Sequence, residues 1–181
     1  MKKIFFITPI GSENSKERTE SDFVLESFIS PVADKLGYSV LRADLINSSN
    51  RIDDDVINQI NISDLVIIDI TGLNPNVMFE FGIRYGLGKP FVAISQTHDD
   101  IPLDIRNIRI LEYTVNAPKI SRIQEKLSAM IEETSKSNNT NRNAEQIGQN
   151  MAIEALQSGD TSKIENFMKL ADMMGIDVKD N

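Results

Sequence analysis

From Asp64 to Ile94 the chain reads DLVIIDITGLNPNVMFEFGIRYGLGKPFVAI. Asp64–Ile70 is apolar on both alternating faces apart from Asp64 and Asp69, as a parallel strand covered by helices on both sides should be. Asn74-Pro75 then predicts a helix start. Asn side chains cap well, and Pro tolerates the first helical position because its missing N–H is unpaired there anyway. That helix runs to about Leu87 and stops at Gly88. Pro90–Ser95 reads as the next strand. Strand, helix and strand in this order form a crossover unit of a parallel sheet.

The same alternation extends outward. Lys3–Thr8 (KIFFIT) is a short apolar run closed by Pro9 and Gly11, and suits a buried strand. Thr19–Leu36 has helical spacing at Phe23, Phe28, Val32 and Leu36. Pro31 lies within it and is expected to bend or divide it; Gly37 is a helix stop. Tyr38–Arg42 is a second strand. Ile52–Ile62 is helical, with Ile52, Val56 and Ile60 spaced by four and Asp53, Asp54 and Asp55 at its positive end. Ile108–Tyr113 is a fifth strand and Lys119–Glu133 a closing helix. These elements predict a flavodoxin/Rossmann-like, doubly wound five-stranded parallel sheet, for which we take the order 2-1-3-4-5. In such sheets ligands bind beyond the carboxyl ends of the strands, where the order reverses. That crevice should be lined by Thr8-Pro9-Ile10-Gly11 and by Asp69-Ile70-Thr71-Gly72.

We divide the chain into an α/β domain over 1–134, a polar linker over 135–143 and a helical tail over 144–181. The tail holds two amphipathic segments, 144–157 and 161–174, too short to bury a core alone. Their apolar residues need a surface elsewhere, and the expectation is a homo-oligomer whose contacts include the tail.

Composition narrows the chemistry. Among 181 residues there are 27 Asp and Glu against 19 Lys and Arg, for a net charge of −8. An acidic chain is a poor partner for duplex nucleic acid, which calls for a basic face. With no Cys and one His, thiolate zinc sites, cysteine nucleophiles, His-based metal sites and Ser-His triads are disfavoured. No metal and no cofactor is expected. No run approaches the ~18 apolar residues of a membrane span. The basic-then-apolar start breaks at Thr8-Pro9, too early for a signal peptide, so a cytoplasmic protein is expected.

Glu80 is the foremost candidate for chemistry. It sits in Val77-Met78-Phe79-Glu80-Phe81-Gly82-Ile83, early in a helix that begins at the crevice. One reading pairs it with Arg84, four residues on, over a solvated face. The other places a carboxylate in an apolar pocket, as nucleophilic or general-base work requires. Asp69, at the carboxyl end of its strand, can hold a sugar hydroxyl or accept N–H groups from the Thr71-Gly72 turn. Thr71, Gly72, Asn74 and Asn76 offer donors beside the helix start. Arg42 and Asp44 end the second strand near the same crevice, as structure or as ligand contacts. Asp64 lies at the opposite, amino edge. Arg18 is read as a solvated charge with a phosphate contact as the alternative, and His98 as a surface residue. No Gly-rich phosphate-binding motif is present.

Phe5–Gly11 (FFITPIG), Tyr38–Asp44 (YSVLRAD), the stretch from Ser63 to Ile94, and Pro102–Tyr113 together resemble the nucleoside 2-deoxyribosyltransferase-like superfamily, over about residues 3–130. The resemblance implies that Glu80, in Glu80-Phe81-Gly82, is the nucleophile on the anomeric carbon of the sugar. It implies substrate contacts from Thr8, Pro9, Ile10 and Gly11. The family's Asp or Ser six residues before the nucleophile falls on Asn74. Its second carboxylate falls on Val56, with Asp55 alongside. The layout is also similar to TIR domains that cleave NAD. The expected function is therefore hydrolysis or transfer at the N-glycosidic bond of a nucleoside or nucleotide. The alternatives are TIR-like NAD cleavage in stress or phage defence, and a nucleotide-sensing module without chemistry.

Overall fold

The computed structural model describes residues 1–46, 52–97, 101, 105, 108–115 and 119–136. Residues 135 and 136, expected to open the linker, instead continue the closing helix; the rest of the linker, the tail and His98 lie outside the described residues. Five strands form one sheet: β1 (Lys2–Ile7), β2 (Tyr38–Arg42), β3 (Leu65–Asp69), β4 (Phe91–Ser95) and β5 (Ile110–Glu112). Their order is β2-β1-β3-β4-β5 and every pairing is parallel. This is the expected doubly wound arrangement, with the order reversing between β1 and β3.

Strand alternation distributes the core. Ile4 and Phe6 of β1, with Leu65 and Ile67 of β3, face one layer; Phe5 and Ile7, with Val66 and Ile68, face the other. The first layer is covered by α1 (Lys16–Val24), α2 (Ser30–Leu36) and α5 (Ile120–Lys136). The second is covered by α3 (Ile52–Ile62) and α4 (Pro75–Gly86). All five residues of β3 are buried, as its two-sided apolar run requires.

The first helical segment is divided, for a local reason. Between α1 and α2 the chain widens into one π-helical turn, Leu25–Ile29. Pro31 has no N–H to give the carbonyl four residues back, and its ring crowds that carbonyl. The carbonyl in question, on Ser27, is satisfied instead by Nε2 of Gln124 on α5 at 2.7 Å. The segment also starts earlier than its apolar spacing suggests. Ser15 caps it by accepting the Arg18 N–H at 3.1 Å.

Arg84 is the largest fully buried side chain among the described residues, and it does not pair with Glu80. Its guanidinium donates to the carbonyls of Ile60 (2.5 Å), Ser63 (3.0 Å) and Pro90 (2.8 and 3.1 Å). It thereby closes the carboxyl end of α3, where a cation is favourable, and ties it to the loop between α4 and β4. Burial lowers its pKa to about 10, so it stays charged at neutral pH. Asp64, at the amino edge as expected, accepts the Lys3 N–H at 2.7 Å. No helix among the described residues is long and apolar enough to cross a membrane.

Candidate active site

Two chambers open at the carboxyl edge of the sheet. The larger, about 380 Å³, is lined from α1 by Lys16, Glu17, Glu20 and Ser21, and from the strand ends by Asp69, Thr71, Gln96 and Tyr113. The smaller, about 150 Å³, is lined by Phe5 to Ile10, Ala43, Asn76, Val77 and Glu80. Thr8, Pro9 and Asn74 line both, so the chambers adjoin at the switch point between β1 and β3.

Glu80 is half-buried in the smaller chamber, one and a half turns into α4. Its carboxylate makes no hydrogen bond or ion pair among the described residues, and Arg84 is turned inward to backbone carbonyls. Desolvation alone raises its pKa from 4.5 to about 7. A carboxylate without a compensating partner, against the walls of Phe5, Ile7 and Val77, is otherwise a net cost to folding.

Asn74 is placed by its own chemistry. Its Oδ1 accepts the N–H groups of Asn76 (3.0 Å) and Val77 (3.4 Å), capping α4. With the oxygen so occupied, the group it has left to offer either chamber is the Nδ2 donor. The turn that delivers it is unusual. Gly72 and Leu73 both have positive φ, +68° and +50°. Glycine adopts this freely, whereas a bulky L-residue pays about 1–2 kcal/mol. Replacing Asn74 with Asp keeps the cap and its favourable charge at the helix start but removes the donor. We expect the Asp variant to retain wild-type stability, measured by thermal melting. The Ala variant should lose about 1 kcal/mol of stability.

Asp69 lines the larger chamber, with its oxygens directed to the protein. Oδ1 accepts the N–H (3.0 Å) and hydroxyl (2.5 Å) of Thr71, and Oδ2 accepts the Tyr113 hydroxyl at 2.6 Å. Of its two sequence readings, the turn-binding one describes these contacts. Desolvation raises its pKa, outweighing the donors from Thr71 and Tyr113, and the charge of Glu20 adds to the rise. Tyr113 is itself pushed up, first by burial and then by the Asp69 charge. Gln96 completes the group. Its N–H goes to Thr71 Oγ1 (3.0 Å), and Nε2 goes to Glu20 (3.1 Å) and to the Tyr113 hydroxyl (3.3 Å).

The structure does not bring every candidate together. Arg42 and Asp44 line neither chamber. Arg42 is buried and donates to Asp44 (2.6 and 2.9 Å), Asp22 (2.6 Å) and Ser21 (2.8 Å). Arg18 also meets Asp44, at 2.8 Å, and Asp22, at 3.3 Å. Desolvation pushes Asp44 upward, but the Arg42 and Arg18 charges overcome it and hold the carboxyl below its usual value. These residues join α1 to the end of β2. Gly11 also lies off the chambers. A Cβ there would collide with the Ser15 hydroxyl, so glycine lets the loop pass the α1 cap. Val56, the register position of the family's second carboxylate, is a buried apolar residue packed in the α3–α4 layer. Gln96, Tyr113, Glu17 and Glu20 were missed from the sequence. The signal for the first two was available, since both lie just past the carboxyl ends of β4 and β5, where ligands of such sheets gather.

No family model and no curated protein sequence matches the chain. Among solved structures it is similar to a 2-deoxyribosyltransferase from Leishmania mexicana, with 17% identity and a TM-score of 0.42, covering 54% of this chain and 66% of that one. It is similar to a 2-deoxyribosyltransferase from the psychrotolerant bacterium Bacillus psychrosaccharolyticus, with 18% identity and a TM-score of 0.49, covering 67% and 90%. It is also similar to the constitutive lysine decarboxylase of E. coli, with 13% identity and a TM-score of 0.45, covering 74% and 18%. The chain thus spans just under two thirds of the Leishmania enzyme and under a fifth of the decarboxylase.

Proposed function

We propose that the chain cleaves or exchanges the N-glycosidic bond of a nucleoside, with Glu80 as the group that meets the anomeric carbon. The observation that carries this reading is Glu80 itself, a carboxylate with no partner among the described residues, in an apolar chamber at the switch point of the sheet. Its oxygen attacks the anomeric carbon as the C–N bond breaks, and the bonding pair leaves with the base, which takes a proton from water. Water, or a second base, then attacks the glycosyl ester and frees Glu80. The Nδ2 donor of Asn74 meets an oxygen of the sugar. Thr8 and Pro9 form the wall that separates sugar from base.

Charge argues for nucleosides over phosphorylated substrates. The described linings carry Glu17, Glu20, Asp69 and Glu80 against Lys16 alone, and Lys16 is already 3.6 Å from Glu20. Arg18 and Arg42 are consumed in their own ion cluster. A phosphate would face uncompensated like charge. The test is a chromatographic screen of the full chain against nucleosides, 5′-mononucleotides and NAD. We expect free base from nucleosides at a kcat/KM at least about tenfold above that for the corresponding mononucleotides. Free base from none of the three classes overturns the reading. Nicotinamide release from NAD alone would reassign the site to TIR-like chemistry. Binding without release would leave a sensing module.

A further inference from the structure

We infer that the larger chamber holds the base of the nucleoside and selects bases bearing an exocyclic amino group, with Gln96 Oε1 as the reading atom. This rests on the N-glycosidic reading, and takes the chamber beside Glu80 as the place of the leaving group.

The argument begins with the amide of Gln96, whose orientation is settled by its neighbours. A carboxylate only accepts, so Glu20 Oε2, at 3.1 Å, requires the Nε2 side of the amide. The Tyr113 hydroxyl gives its hydrogen to Asp69 at 2.6 Å, leaving its oxygen to accept from Nε2 at 3.3 Å. Both Nε2 hydrogens are thereby engaged. The backbone N–H of Gln96 is held by Thr71 at 3.0 Å, which fixes the base of the side chain too. What the residue retains is Oε1, an acceptor with no partner among the described residues. A glutamine free to rotate reads donor or acceptor alike; this one presents an acceptor.

The rest of the lining agrees. Glu17 and Glu20 add carboxylate oxygens, and Asp69 contributes negative charge from behind. A chamber rich in acceptors favours a ligand edge with several N–H groups. An exocyclic amino group supplies two of them, on adenine, cytosine or guanine. A carbonyl at the same position would set oxygen against oxygen and leave a desolvated acceptor unpaired. The chamber volume of about 380 Å³ admits purines as well as pyrimidines, so the selection is by hydrogen bonding.

The experiment titrates the full chain calorimetrically with ribo- and 2′-deoxyribonucleosides in pairs differing at the amino group: adenosine and purine riboside, guanosine and inosine, cytidine and uridine. Base release is followed in parallel. The amino-bearing member of at least one pair should bind at least about tenfold more tightly. Gln96→Leu should reduce that ratio to about twofold or less. Glu20→Gln removes the charge that orients the amide, and should erode the ratio with circular dichroism unchanged. Ratios within about twofold for every pair, with base still released, overturn the inference and leave the N-glycosidic reading standing. The expected ratio with no base released sustains the inference and removes the catalysis. No binding and no release overturns both.

Discussion

Replacing Glu80 with Gln should lower kcat/KM for base release by roughly 10³-fold or more, as loss of a covalent nucleophile does, while making the protein more stable above pH 7. The two effects have one cause. Gln keeps the shape of the side chain, and the Phe5 and Val77 walls around it, but cannot form the glycosyl ester. It also removes an uncompensated carboxylate. Burial raises the folded-state pKa of Glu80 from 4.5 to about 7, so the folded chain holds this proton more tightly than the unfolded chain. Stability is therefore lost as pH rises from 4.5 through 7, and the loss is complete above 7. The variant lacks that loss, and should gain about 1–2 kcal/mol at pH 8, allowing for solvent screening, and nothing at pH 4. Urea titrations at the two pH values measure it. In the wild type, kcat/KM should climb through pH 7 and level off above it, because the attacking form is the carboxylate. A profile falling through pH 7 would make Glu80 a proton donor. Near wild-type turnover in the Gln variant would remove it from the chemistry.

The largest effect on stability is expected at Arg84. Replacing it with Met retains bulk but leaves the carbonyls of Ile60, Ser63 and Pro90 without their donor in a buried place. Leaving three buried acceptors unpaired costs about 3–5 kcal/mol in all. Lys should recover only part of that, because a point charge cannot reproduce a fork directed to three carbonyls. The measurement is the midpoint of urea unfolding with the slope unchanged. A loss below about 1 kcal/mol in the Met variant would mean that the carbonyls find water or other donors.

Arg84 also shows where the sequence stops being legible. Spacing offered Glu80 and Arg84 as a pair, because four residues place side chains on one side of a helix. The pairing fails because α3 ends beside α4 and the loop to β4 turns back over it, both of which are tertiary facts. Local signals fared better. The two-sided apolar run of β3, the Asn74-Pro75 helix start and the Gly37 stop each state a physical requirement within a few residues, and their alternation implied the parallel sheet, whereas the order 2-1-3-4-5 was a choice among the doubly wound arrangements. The two chambers were legible where they lie on those elements, at Thr8, Pro9, Asn74 and Glu80. Arg42 and Asp44 were placed correctly in the chain but drawn off by Asp22, Ser21 and Arg18 on a helix some twenty residues away. Gln96 and Tyr113 gave no motif, since their meaning comes from Glu20 and Asp69, which only folding brings beside them.

The left-handed step at Leu73 has a consequence for how this protein can evolve. Glycine at that position would relax the backbone and make folding easier, yet the chain keeps a leucine where it is conformationally expensive. Leucine narrows the shapes open to the turn, and that turn delivers Asn74 to the edge shared by the two chambers. A more permissive residue would let the cap arrive in several poses, and each would change what Asn74 offers the two chambers. Selection for thermal robustness and selection for a fixed chamber wall therefore pull in opposite directions at this single residue, and a lineage living at higher temperature has an inexpensive stabilising substitution within reach that it can take only by loosening that wall.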